Sequence, residues 1–343
     1  MFLSTILKKE NNNLDLIRII CASIVIYGHS FVMVNNSSGY DIIGKHLPFD
    51  YSGSFAVKIF FFISGLVVTN SLLVNKNPIH FIKSRIFRIM PGLIFFCLAS
   101  TLVILPFFYD GSLKDYFLNS NLYNYILHNS LLITEYRING VFGYEDNHRS
   151  VINGSIWTIP YEMLAYFILL AAFSVNLLNK KSLALVTFFF ITLICMFQPG
   201  GFLVFHEGPM ERSMLSYCFA CGVLFCIFKE KIKIKISYSI ILIVIYFLFS
   251  KTPISPFVFY ATCFYVLLSI SSMRFFLKLK PRYDISYGIY LWGWPVQQMV
   301  SKTAPSLGVY SNTFLSLIIA MVIASLSWIL IERKFINIGR SLV

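Results

Sequence analysis

Apolar residues run along this chain in long blocks separated by short polar or basic stretches. Windows of about nineteen residues resolve the blocks into ten spans: 14 to 34, 54 to 74, 85 to 108, 158 to 176, 182 to 198, 213 to 228, 235 to 250, 256 to 273, 286 to 302 and 313 to 333. A helix needs about twenty residues to cross a hydrocarbon core roughly 30 Å thick. Several spans are shorter, so their ends are soft by a few positions. The pattern predicts an all-α membrane protein, a polytopic bundle of about ten transmembrane helices. No internal repeat or low-complexity tract interrupts it, and residues 1-343 read as a single membrane domain without a soluble appended domain.

Composition removes the soluble alternative. Fifty-seven per cent of the residues are hydrophobic and 13 % charged, with a mean hydropathy of +0.73, more apolar surface than one aqueous core can hide. The net charge of +13 would suit a nucleic-acid ligand, but its placement points elsewhere. With the N-terminus inside, basic residues collect in alternate connections: Lys8 and Lys9, then Lys76, Lys83, Arg85 and Arg88, then Lys180 and Lys181, then Lys229 to Lys235, then Arg274 to Arg282, and finally Arg333, Lys334 and Arg340. The opposite loops are poor in basic residues; the longest, 109 to 156, sets Lys114, Arg137 and Arg149 against Asp110, Asp115, Glu135, Glu145 and Asp146. That alternation is the positive-inside rule. It places both termini in the cytoplasm and makes the basic excess a topology signal with no nucleic-acid partner. The first span is too long for a cleavable signal and lacks an A-x-A site.

The seven cysteines all fall within apolar spans, so no disulfide framework is expected. Cys218 and Cys221 have a metal-like spacing but no second pair and no nearby histidine, and read as helix packing.

Chemistry concentrates in a few spans. The first, LDLIRIICASIVIYGHSFVMV, carries Asp15, Arg18 and His29, and ionisable groups in a membrane span are expensive enough to raise a functional hypothesis by default. Arg18 and His29 return to within roughly 20° of the same helical face, about 16 Å apart along the axis. Arg85 and Arg88 share a face where the third span opens, followed by Pro91 as a candidate kink. They read either as a lipid-facing anchor or, with Arg18 at the same inner depth, as a site for a multiply charged phosphate ligand from the cytosol. Trp157 belongs at the outer interface and Glu162 a turn into span four, at the depth of His29, where a carboxylate can fix the tautomer of an imidazole.

Ser64 and Gly65 read as close helix packing, and no nucleophile elbow supports a serine hydrolase. The polar stretch 35 to 53 reads as a surface connection, and residues 122 to 133 as an interfacial or re-entrant piece of a long functional loop. His128 and His148 in that loop lack ligand spacing and read as solvated; Asn153, Gly154 and Ser155 fit a weak sequon. Spans five to eight read as scaffold. In the ninth span Tyr287, Tyr290, Trp292, Trp294, Gln297 and Gln298 place aromatics and amides in a membrane helix, facing either a cavity or neighbouring helices.

The segments LDLIRIICASIVIYGHS, FFFISGLVVTNSLL, FIKSRIFRIMPG, GSIWTIPYE, ISYGIYLWGWP and LIERKF, in this order, resemble the acyltransferase-3 family of integral-membrane acyltransferases, over residues 14 to about 337. The resemblance implies a multi-pass protein of a bacterial plasma (inner) membrane that O-acylates a surface glycan such as O-antigen, capsule or exopolysaccharide. It implies acetyl-CoA as the acyl donor, no metal, and a glycan acceptor, lipid-linked or free. Arg18 and His29 match the family's Arg-x10-His motif and Arg85 and Arg88 its R-x-x-R motif, both implicated in acyl-CoA use; Trp157 and Glu162 match its W-S-L-x-x-E pattern. On this reading His29 is the general base, Glu162 orients it, the three arginines hold the CoA phosphates, and Trp157, Tyr287 and Gln297 contact substrate. Two departures stand out: Gly293 replaces the histidine of Y-L-W-H-W-P, and Lys334 the proline after Glu-Arg. The rival reading is a transporter or flippase for a lipid-linked glycan precursor, which would be expected to show repeat symmetry. The sequence is silent on oligomeric state.

Overall fold

The computed structural model describes residues 1–34, 39–143, 150–197 and 210–341, the first four of the last segment by backbone only. Among these residues there is no strand, only isolated bridges between Phe2 and Lys233 and between Tyr109 and Val141. Each predicted span coincides with a helix: α1 Leu14–Met33, α2 Ser52–Asn75, α3 Pro78–Ala99, α4 Thr158–Ser174, α5 Lys181–Phe197, α6 Met210–Ile227, α7 Ile236–Phe249, α8 Ser255–Ser271, α9 Ser286–Thr303 and α10 Val309–Ser327. α3 runs on without a break through Pro91 and continues by a π turn, Ser100–Ile104, and a 3-10 turn, Leu105–Phe108; α10 continues through a π turn, Trp328–Glu332, into Arg333–Ser341. By length and composition, α1, α2 and the extended α3 and α10 can cross a membrane unaided, while α4, α5, α7 and α8 are shorter apolar helices.

Local chemistry sets the boundaries. The side chain of Asn13 accepts from the Leu16 amide at 3.1 Å to start α1, and Asn77 accepts from the His80 amide at 3.0 Å to start α3, with Pro78 in its first turn. At the other end of α2, Lys76 takes a left-handed backbone with φ 51, which ends the helix. α2 packs most extensively on α6, and α9 on α10 and α1. Gly65 permits the first contact, because a Cβ there would lie 2.3 Å from the Phe219 carbonyl oxygen. Gly65 therefore has the packing role expected of it, whereas Ser64 beside it faces a cavity.

Two connections are more structured than their polarity suggests. In the segment before α2, Asp41 accepts from Ser52 N at 3.0 Å and Ser52 Oγ at 2.8 Å. Asp50 pairs with Lys58 at 2.7 Å and accepts from the Tyr260 hydroxyl, with Lys58 and Asp50 both fully buried. So this is no mere surface connection: its described part is fastened into the bundle by two aspartates. The first residues also dock, with Leu3 and Ile6 buried and the Met1 amine donating to Ile234 O at 3.2 Å. The C-terminal helix lies on the opening turns of α3 through Phe87 and Phe335. The first residues and the helix Arg333–Ser341 therefore sit at the end of the bundle where α1, α3 and α7 begin.

In the long loop, helix Ser120–Ser130 buries Leu122, Tyr125 and Asn129 and packs against α3, as suits a piece too short to span. His128 is paired rather than simply solvated, its Nδ1 lying 2.9 Å from Glu135 Oε1. His148 lies outside the described residues. Asn153 is fully buried and donates to Leu291 O at 2.8 Å, so it cannot receive a sugar as the chain stands.

Candidate functional site

Arg18 on α1 and Arg85 and Arg88 on α3 converge on one cavity of about 140 Å³, lined also by Ser64, Glu162, Tyr166, Tyr287 and Tyr290. The convergence comes from helix geometry: Arg18 is one turn into α1, and Arg85 and Arg88 share a face of α3. A residue outside the sequence expectation joins them. Asp284, just before α9, accepts on Oδ2 from Arg18 Nη1 and from Arg88 Nη2, both at 2.8 Å. Burial alone would raise the Asp284 carboxyl, but the two guanidiniums beside it overcome that and hold it at about 2. Arg85 takes part in no ion pair among the described residues; it lies over the Tyr166 ring at 5.9 Å and donates from Nε to Ser84 at 3.2 Å.

Glu162 belongs to this same cavity. Its Oε1 accepts from Ser64 Oγ at 3.1 Å and from the Tyr166 hydroxyl, and Ser64 and Tyr166 are themselves 2.7 Å apart. The expected pairing of Glu162 with His29 is thus replaced by another set of partners. α4 begins at Thr158 deep inside the bundle, which carries Glu162 inward to the level of the arginines. Tyr287 also faces this cavity and donates to Ile89 O at 2.9 Å.

His29 lines a second, smaller cavity of about 20 Å³ with Tyr51, Gly53, Ser155, Trp157 and Tyr290. The Trp294 ring stands nearly edge-on to the imidazole, centroids 4.6 Å apart and planes at 70°. Trp294 is anchored by a 3.0 Å hydrogen bond to Val151 O and lies on Gly154, where a Cβ would come within 2.5 Å of the indole. Among the described residues His29 Nδ1, buried, has no hydrogen-bond partner. The ring is held by aromatic packing, with its Nε2 beside Gly53.

Val57 and Tyr290 line both cavities. The Tyr290 hydroxyl meets Thr158 Oγ1 at 2.7 Å and Ser155 O at 2.8 Å, fixing the entry to α4 that separates the two spaces. Gln297, by contrast, lines neither. It is fully buried and donates to Ile26 O at 2.8 Å and Ser30 Oγ at 2.6 Å, the interhelical reading of an amide in a membrane helix. Gly293 faces α1, where a Cβ would lie 2.8 Å from Ile26 Cγ1, so the space of a histidine side chain is already filled. Besides Asp284, the sequence reading passed over Lys58 and Asp50; a lysine within an apolar span was the available signal.

Comparison with known proteins bears on this arrangement. Residues 11–333 match the family described as Acyltransferase domain, acyltransferase-3. The chain is also similar to a protein named O-acetyl transferase from Shigella phage Sf6, 25 % identical over 343 residues that cover 96 % of this chain and 97 % of the relative. No solved structure matches the chain.

Proposed function

The chain belongs to the acyltransferase-3 family of acyltransferase domains, and from that premise we propose that this O-acyltransferase moves an acetyl or other short acyl group from acyl-CoA to a hydroxyl of an extracytoplasmic glycan. The observation that carries the reading is the pair of adjoining cavities. One is lined by guanidiniums and opens among the basic ends of the helices; the other holds an imidazole, and Val57 and Tyr290 are common to both. Guanidiniums suit the phosphates of a CoA thioester, and an imidazole suits the removal of a proton from a sugar hydroxyl.

In this mechanism the arginine cluster holds the donor's anionic head at the cytoplasmic end while its pantetheine arm passes Tyr290 toward His29. His29 takes the proton of an acceptor hydroxyl, and the oxygen attacks the thioester carbonyl. The tetrahedral adduct collapses with cleavage of the C–S bond, and the departing CoA thiolate takes a proton, returning His29 to its neutral form. A bond between acceptor oxygen and acyl carbon replaces the thioester. Trp157, on the wall of the His29 cavity, contacts the acceptor. The space beside His29 is the size of one water, so the acceptor enters as Tyr51 and Trp157 part. Orientation in a dry cavity supplies much of the rate. Glu162, bound by Ser64 and Tyr166, shapes the donor cavity and balances its charge.

The test is transfer of label from acetyl-CoA to glycan in membranes carrying the protein or its His29→Ala variant at equal abundance. Label on glycan with the wild type and none with the variant supports the reading; equal labelling by the variant overturns it.

A further inference from the structure

The three arginines look equivalent in sequence, but their surroundings divide them. We infer that Asp284 is the positioning residue of the cluster: it clasps Arg18 of α1 and Arg88 of α3 into a fixed frame and leaves Arg85 to meet the anionic head of the acyl donor. This rests on the donor reading above and adds to it a division of labour.

The geometry is specific. One carboxylate oxygen, Oδ2, accepts from both Arg18 and Arg88 at 2.8 Å, while Oδ1 accepts from Ser286 N at 3.1 Å and Ser286 Oγ at 2.5 Å. Ser286 opens α9, so Asp284 cannot swing away without releasing the start of that helix. Two guanidiniums brought to one oxygen repel each other, and an anion between them is what makes the approach favourable. The Trp328 ring, 5.6 Å from Arg88, closes the other side of that guanidinium. Three helices, α1, α3 and α9, are thereby tied at the mouth of the donor cavity. Each guanidinium has five N–H donors, so Arg18 and Arg88 still present donors to the cavity they line. Arg85, outside the clasp and against Tyr166, is the cation that a phosphate engages without breaking an ion pair.

The experiment uses the full chain purified in detergent. It measures binding of labelled acetyl-CoA, donor KM and kcat, and thermal unfolding for Arg18→Ala, Arg85→Ala, Asp284→Asn, Asp284→Glu and the double variants of Asp284→Asn with each arginine. Arg85→Ala is expected to weaken donor binding about ten- to a hundredfold, the range for hydrogen bonds to charged groups, with little change in melting temperature. Asp284→Asn is expected to raise donor KM about tenfold with kcat nearly unchanged, and Asp284→Glu to restore most of it. Adding Arg18→Ala to Asp284→Asn should cost little more in unfolding, because both remove one clasp, whereas adding Arg85→Ala should multiply the binding loss. Additive losses of melting temperature for Arg18 and Asp284, or tighter donor binding by Asp284→Asn, overturn the inference. A wild-type protein that binds no acetyl-CoA overturns the donor reading and the assignment of Arg85, while the unfolding of the Arg18 and Asp284 variants still decides the clasp.

Discussion

Glu162 and His29 do not meet. His29 lies beside Gly53 and Glu162 beside Ser64, eleven residues apart on α2, which is about 16 Å along a helix axis. The carboxylate therefore lies among the arginines, and the imidazole lines the other cavity.

This separation predicts different phenotypes. Glu162→Gln should raise donor KM by a fewfold while the pH profile of transfer keeps its shape, since the ring of His29 has lost no neighbour. A profile displaced by a full pH unit in Glu162→Gln would restore the pairing of the two groups.

The approach of α1 to α2 has little slack. A Cβ at Gly28 would lie 2.7 Å from the Gly53 backbone nitrogen, and backbone cannot yield as a side chain does. Gly28→Ala is expected to cost about 1–3 kcal/mol of stability and, because Gly53 adjoins His29, to lower transfer. A melting temperature equal to that of the parent would show that the helices part freely.

Lys58 and Asp50 form a buried pair that depends on both partners. Lys58→Met leaves the buried carboxylate without its counter-charge and should cost about 3–5 kcal/mol, and adding Asp50→Asn should recover much of it. Measured as detergent-solubilised protein surviving heating, a double variant as damaged as the single would count against the pair.

For Asp284 the sign of the pH effect follows from its depressed titration. Its stabilising contribution is full above the ordinary carboxylate range near 3.9 and is lost as pH falls toward about 2. The difference in melting temperature between the parent and Asp284→Asn should stay constant from pH 8 to about 5 and shrink only below about 4. A difference that vanishes between pH 7 and 5 would mean that the two arginines do not hold the carboxyl down.

The sequence by itself determined the helices, because bilayer thickness and hydropathy act locally along the chain. It also singled out Arg18, His29, Arg85 and Arg88, conspicuous because charge in an apolar span is costly, and the six ordered segments pointed to the family. Which groups share a cavity was decided only in three dimensions. The level of Glu162 depends on how deep α4 begins, a property of the connection at residues 150 to 157 and not of the helix itself. Asp284 reads in sequence as an acidic residue in a basic connection; its role arises because α9 starts where α1 and α3 bring two guanidiniums together. Gln297 and Gly293 were likewise settled by which neighbour each helix face meets. Periodicity names a face, and only packing says what stands opposite it.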